Sequence, residues 1–496
     1  MEKASCAAFL RAAVMGNVLT LACTAQLPQF VLDAPTALLP VSATQFRIAD
    51  FDNDGDQDLL TVGTSLTLLF NDGDVDGRLS MRDVTGARVD PALTGYGSSA
   101  AAADFDGDGD IDLMLGGLPT VVAWNDGSGN FAPGTPIAGV DSPDEITPTD
   151  LDGDGDIDLL LTWVLAASTP VTGAVVLVND GSGSFSIGTS FGAFSATTAF
   201  VLDYDEDGDG DLFLLRFVSQ SPTNQLFRND GAMSFTDVTA TDLAVAPTYY
   251  PTPGAVGDID GDGHDELILG AGQNCYVLDS VGGVLTASAT VPSLLYGTQS
   301  IALGDIDGDG DLDLLHGGYA SNIALSLNDG VGGFSWAPYG RLPLQTIVTE
   351  QHELVDLDGD GDLDIVSNTS SWNPLVLRNR DIDLTVGTAA TNTTWQLTLR
   401  SRPGYATASE PALLAIGLAA LPQPVALPGL GALRLDLSGP VTSFGGLLTR
   451  PNGSASFGFA IPDSPALVGL DLHAQGLVAR GGGTVRLTAL RSVFVH

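Results

Sequence analysis

One nine-residue pattern, Asp-x-Asp-x-Asp-Gly-x-x-Asp/Glu, returns seven times along the chain, beginning at Asp50, Asp104, Asp150, Asp203, Asp258, Asp305 and Asp356. Each step between starts is close to 50 residues, longer than most helical solenoid repeats and suited to a four-stranded unit. The surroundings recur as well. Small or apolar residues precede each copy (Ser98 to Ala103, Ile301 to Gly304), and a short apolar run follows it, as in Leu113-Met114-Leu115 and Leu159-Leu160-Leu161. Bounded runs of this kind read as buried strands. A third strand then ends at a hairpin signal, Asn125-Asp126-Gly127, Asn179-Asp180-Gly181, Asn229-Asp230-Gly231 or Asn328-Asp329-Gly330. Phe131, Phe185, Phe235 and Phe334 open a fourth strand.

Four strands per repeat and seven repeats predict an all-β chain, a seven-bladed β-propeller over residues 26–380. Blade seven has three strands of its own before the composition changes at Asp381. Gln29-Phe30-Val31-Leu32-Asp33 matches the fourth-strand pattern of Phe235-Thr236-Asp237-Val238, so the N-terminal segment is expected to complete blade seven and close the ring. These residues resemble the FG-GAP and VCBS repeat family, which shares its plan with the integrin α-subunit propeller. The resemblance implies a closed propeller with calcium loops between the first and second strands of each blade. Blade five departs from it, since Asn274 to Val284 lacks the Asn-Asp-Gly hairpin, and blade seven stops after Arg378.

The loops themselves point to calcium. A hard cation of six to eight oxygen ligands suits alternate carboxylates at positions one, three and five, a sharp glycine turn at six, a backbone carbonyl at seven and a carboxylate at nine. The candidate ligand residues at positions one, three, five, seven and nine are Asp50, Asp52, Asp54, Asp56 and Asp58 in loop one. They are Asp104, Asp106, Asp108, Asp110 and Asp112 in loop two, and Asp150, Asp152, Asp154, Asp156 and Asp158 in loop three. Loop four offers Asp203, Asp205, Asp207, Asp209 and Asp211; loop five offers Asp258, Asp260, Asp262, His264 and Glu266. Loops six and seven offer Asp305, Asp307, Asp309, Asp311, Asp313 and Asp356, Asp358, Asp360, Asp362, Asp364. Up to seven Ca2+ ions are expected. An EF-hand needs an acidic twelfth residue; here the twelfth residues are Thr61, Leu115, Leu161, Leu214, Leu269, His316 and Ser367.

Charge agrees with this reading. Against 18 basic residues stand 61 acidic ones, a net of −43, which excludes nucleic acid as a partner and suits divalent cations. Residues 1–25 read as a signal peptide, with Lys3 and Arg11 before the apolar run Ala12 to Ala22. A lipoprotein processed at Cys23 and an unprocessed leader are the alternatives. Removing the leader leaves Cys275 as the remaining cysteine, so disulfides cannot stiffen the fold. A secreted or cell-surface monomer is expected, and no segment has the roughly 20 apolar residues of a membrane span.

Residues 381–496 hold six acidic and seven basic residues. Alternation such as Trp395-Gln396-Leu397-Thr398-Leu399-Arg400 predicts a small C-terminal β-sandwich. The five histidines have no zinc-like spacing, and Gln351-His352-Glu353 reads more readily as structure than as acid–base machinery. The blade plan puts calcium loops and hairpins on one face. Loops of the opposite face carry Tyr96, Trp163, Tyr249, Tyr250, Tyr296, Tyr319 and Trp372, a candidate ligand face for sugar or protein, or else packing over blade ends. The function expected is a binding or adhesion module for carbohydrate or a surface protein. The alternatives are a polysaccharide-active, lyase-like enzyme and a structural surface-layer component.

Overall fold

In the computed structural model, the chain divides into two compact units, one running from Leu27 to Asp381 and one made chiefly of Ile382–Leu421 and Val425–His496. Described in the first are residues 30–32 and 43–379, apart from 64, 76–77, 164–172, 193–194, 219–220, 223, 232, 245–252, 273, 293–297, 308–309, 319–320, 337–348, 360–361 and 370–373; in the second, the strands within 382–494.

The first unit is the propeller, with seven antiparallel sheets built in sequence order. Blade two is representative, with strands Ala100–Ala103, Asp112–Leu115, Val121–Asn125 and Phe131–Pro136. The second and third strands are apolar on both faces because each blade is covered by its two neighbours. Leu60, Val62, Leu68 and Phe70 of blade one thus share a buried cluster with Leu113, Leu115, Val121 and Ala123 of blade two. At the seam between blades seven and one, Leu357, Val366 and Val376 share another with Phe46, Leu59 and Leu69. A fourth-strand phenylalanine packs at two of the seams: Phe131 meets Phe51 edge-on at 5.8 Å, and Phe185 meets Phe105 at 5.6 Å.

First strands gather at the ring's centre. Gln351 of blade seven accepts from the Phe46 N–H and donates to the Phe46 carbonyl in blade one. Gln45 donates to the Asp144 carbonyl at the entry to blade three. Blade five makes its third-to-fourth hairpin without Asn-Asp-Gly. Asn274–Ser280 pairs with Leu285–Pro292 through Gly282 and Gly283, whose φ values of 64° and 78° supply the left-handed turn.

Closure takes the expected form. Phe30–Leu32 pairs antiparallel with the third strand of blade seven, Pro374–Asn379, in the register Phe30↔Asn379, Val31↔Arg378 and Leu32↔Leu377. The ring is therefore sealed by a sheet drawn from both ends of the propeller, which leaves that third strand no open edge.

The second unit is also all-β. Ile382–Val386, Thr394–Ser401 and Ser454–Ala460 form one sheet. Glu410–Gly417 lies between Val441–Leu448 and Asp471–Ala479 in another.

A chain starting at Val41 loses the sealing strand and its backbone bonds, on the order of 2–3 kcal/mol at ~1 kcal/mol per net hydrogen bond. Its thermal midpoint is expected to fall by a few degrees, with faster aggregation on heating. Equal melting and solubility would mean that Phe30–Leu32 contributes nothing to closure.

Candidate metal centre

Each repeated loop joins the first strand of a blade to the second, and its glycine at position six is what lets it turn. Gly55, Gly109, Gly155, Gly208, Gly263 and Gly310 hold φ between 94° and 105°, a region closed to most side chains. The turn brings the odd-numbered carboxylates to one side, where they accept the loop's own N–H groups. In loop two, Asp104 Oδ1 and Oδ2 accept from Gly107 and Gly109 at 2.8 and 3.0 Å. Asp106 accepts from Asp108 N–H, and Asp108 from Asp110 N–H. Loops three and five repeat the arrangement from Asp150 and Asp258.

The ninth position has a second task. Asp58, Asp112, Asp158, Asp211, Glu266, Asp313 and Asp364 each open the second strand and are buried. One oxygen of each accepts the N–H of position two in its own loop: Phe51, Phe105, Leu151, Tyr204, Ile259, Ile306 and Leu357, at 2.6–3.2 Å. In six blades the other oxygen accepts the N–H of an asparagine at the end of the third strand, Asn71, Asn125, Asn179, Asn229, Asn328 or Asn379. That asparagine then donates its side-chain amide to the position-two carbonyl of the preceding blade. Asn125 reaches Phe51, Asn179 Phe105, Asn229 Leu151, Asn328 Ile259 and Asn379 Ile306, while Asn71 reaches Leu357 across the closing seam, all at 2.7–3.2 Å. The hairpin asparagines thus also bind blade to blade. Sequence reasoning missed this role because Asn-Asp-Gly is already explained by the turn; the asparagine at the end of every third strand except that of blade five, kept in blade seven as Asn379 without Asp-Gly, was the available signal.

What remains is a set of carboxylate oxygens facing one another. Asp50, Asp52 and Asp58 bring one oxygen each within 4.8 Å of the others, as do Asp104, Asp106 and Asp108, and Asp150, Asp152 and Asp158. So do Asp203, Asp205 and Asp211, and Asp258, Asp260 and Asp262. Asp52 Oδ1, Asp205 Oδ1, Asp209 Oδ1 and Asp305 Oδ1 are buried with no hydrogen-bond partner. Buried anionic oxygens without a donor are costly unless a cation completes them. Burial first, then neighbouring carboxylates, pushes Asp54 and Asp209 up to about 6. Burial raises Asp58 to about 8 and Asp112, Asp211, Asp313 and Glu266 to about 7, against the two N–H bonds that lower most of them. These clusters fit a metal ion. Position-seven side chains take other partners: Asp110 Oδ1 accepts from Asn53 Nδ2 of blade one at 2.7 Å, and His264 Nε2 lies 3.8 Å from Glu206 of blade four.

Asp309 and Asp360 lie outside the described residues, as do Tyr249, Tyr250, Tyr296, Tyr319 and Trp372 of the expected ligand face. Trp163 is described and is not a platform. It is 3% exposed within the core cluster between blades two and three, and its indole N–H donates to the Asp141 carbonyl. Tyr96 packs beside the cluster of blades one and two. For Trp163 the packing alternative holds rather than the ligand face, and Tyr96 is half-buried. His352 and His316 are interior too. Burial pushes them down to about 3 and about 4, with His352 Nδ1 2.7 Å from Ser367 Oγ and His316 stacked on Trp336.

A family model described as FG-GAP-like repeat matches residues 40–115, 203–269, 258–316 and 305–367. No curated protein matches the sequence. Among solved structures, the chain is similar to BBS1N in its complex with ARL6DN, soaked with lead, at 9% identity over 71% of this chain and 97% of that one, with a TM-score of 0.45. It is also similar to the V. cholerae biofilm matrix protein Bap1 at 14% identity, over 94% of this chain and 71% of that one, with a TM-score of 0.31.

Two outcomes follow for the loops. Replacing Asn125 by Ala leaves the Phe51 and Ile111 carbonyls without its amide, at about 1–3 kcal/mol for each unmet buried group. Denaturant titration should show that loss, whereas Asp126→Ala on the exposed hairpin should show much less. The second outcome concerns pH. Native-state pKa values near 7–8 exceed the unfolded value of about 4, so the metal-free native state holds extra protons between those limits. Its stability is fully present below the unfolded value and is lost as pH rises through the raised ones. In EDTA the thermal midpoint should therefore be lower at pH 8 than at pH 5, and a divalent cation, which replaces those protons, should restore most at pH 8. A midpoint that rises with pH in EDTA would contradict the burial of these acids.

Proposed function

We propose, from a propeller whose blades are FG-GAP-like repeats, that the chain is a calcium-stiffened binding or adhesion module acting outside the cell. The observation that supports it is the repeated cluster of three carboxylate oxygens within 4.8 Å, with buried oxygens left unpartnered. Calcium fits better than magnesium, because an open set of carboxylate and carbonyl oxygens suits a large, irregular shell rather than a tight octahedron. Positions one, three, five and nine would hold the ion, supplying charge; the loop's N–H bonds fix where those oxygens point. An extracellular setting, with millimolar calcium and no usable disulfide, is where such stapling has most to contribute. The partner is proposed to be a carbohydrate or a surface protein met by the rim of the ring.

One observation favours a polysaccharide-active enzyme as a second reading. Glu145 and Glu353, on the central strands of blades three and seven, are each pushed up to about 7 by burial, with Arg47 of blade one lowering both. Carboxyls near neutrality can exchange protons with a bound substrate.

Calorimetry in EDTA is expected to give a clearly lower midpoint than in calcium, since each site held at a hundredfold its Kd contributes about 2.7 kcal/mol. Magnesium should restore less. An unchanged midpoint would refute calcium stapling. A glycan-array screen in calcium and in EDTA then separates the two readings. Calcium-dependent retention without turnover supports the module, while unsaturated sugar products that disappear in Glu145→Gln or Glu353→Gln support the enzyme.

A further inference from the structure

The seven loops are not equivalent, and the difference lies in one arginine. Arg378, on the third strand of blade seven, has a side chain only 1% exposed, and its Nη1 donates to Asp358 Oδ2 at 3.0 Å. Asp358 holds position three of the seventh loop and is itself 7% exposed. A guanidinium cannot lose its proton, so once buried it must be paired.

Blade four shows what the same residue does elsewhere. Arg228 stands at the equivalent place, one residue before the strand-ending asparagine, yet its side chain is 37% exposed and 3.9 Å from Asp205, the position-three acid of its loop. The hairpin acid Asp230 draws it outward, bound by Nε and Nη2 at 2.8 Å each. Asp205 Oδ1 is then left buried and unpartnered in a cluster of three carboxylates. Blade seven has no such acid in place. The sequence after Asn379 is Arg380-Asp381, not Asp-Gly, because the fourth strand comes from the N-terminus and no hairpin is made. Arg378, in contrast to Arg228, points into its own loop.

We infer that Arg378 is the permanent counter-ion of the seventh loop, and that this loop takes up no calcium ion while loops one to five do. The inference rests on the calcium reading of the loops. Its consequence is that the closing blade, paired to Phe30–Leu32, carries a fixed positive charge among its loop acids without metal, so its sealing depends less on calcium than that of the other blades. A divalent ion placed among the same carboxylates would meet a fixed positive charge beside it, and both would compete for Asp358.

The test is a count of bound calcium on the full chain by native mass spectrometry and equilibrium dialysis. Asp106→Asn in loop two should lower the count by one, and Asp358→Asn in loop seven should leave it unchanged. If Asp358→Asn also loses one ion, the assignment of Arg378 falls while the calcium reading stands. If the unaltered protein takes up no calcium, the calcium reading itself is at fault and the inference goes with it. Since Asp358→Asn leaves a buried guanidinium short of its anion and can misfold, Arg378→Met is the second arm. It should gain one ion, and an unchanged or lower count would overturn the proposal.

Discussion

The ring depends on a buried carboxylate at the head of each second strand. A residue such as Asp112 ties together three parts of the chain that are otherwise separate. It fixes the start of its own loop through the Phe105 N–H and the end of its third strand through the Asn125 N–H, and Asn125 in turn grips the Phe51 carbonyl of the blade before. Loop geometry and blade order are therefore set by the same atoms. A change in how the loop is charged acts on the seam between blades, because the same carboxylate accepts from the loop and from the seam asparagine.

That coupling explains how the chain tolerates its charge. Sixty-one acidic residues, most of them in the propeller, repel one another in any compact state. Protons and cations are the two ways of relieving the repulsion where the carboxylates converge, and they act on the same oxygens. Acid keeps the ninth positions neutral and removes the cost of burying their charge; at higher pH a metal has to replace the protons. Stability of the blades and occupancy of the loops are then one equilibrium, linked through Asp58, Asp112, Asp211 and their equivalents.

Much of this was legible in the sequence because it depends on local pattern. Seven motif copies gave the blades, and the likeness of Phe30-Val31-Leu32 to a fourth strand gave the closure, since a missing strand and a spare one must meet if the edge is to be covered. What was not legible depends on where side chains travel between blades. Asn125 and Asn179 read as hairpin residues, and nothing local says that their amides cross a seam. Trp163 read as a loop aromatic, but its indole finds the Asp141 carbonyl and the core. Arg378 marked only the end of blade seven, and nothing local says that its guanidinium is buried against Asp358.

Asymmetry within the ring concentrates at blade five. There the ninth residue is Glu266, whose longer side chain reaches the Ile259 N–H at 2.6 Å, and Ser280 stands where the other blades have asparagine. Serine cannot span the seam, and its Oγ is buried without a hydrogen-bond partner. The boundary with blade four thus lacks the amide link present at the other six. Two boundaries carry a link from a position-four residue that is not glycine. Asn53 reaches Asp110 across the first, and Glu206 approaches His264 across the fourth. Both hold left-handed backbone, φ 59° and 64°, a conformation asparagine accepts and glutamate adopts only under constraint. At the fourth boundary the strained glutamate stands beside the missing asparagine, so the seam exchanges a buried amide bond for an exposed, solvent-screened pair. Such a pair contributes little. What joins blades four and five is instead the backbone, through the Leu243↔Leu285 bridge and the bond from the Ala244 N–H to the Leu285 carbonyl, so this seam does not depend on an asparagine amide.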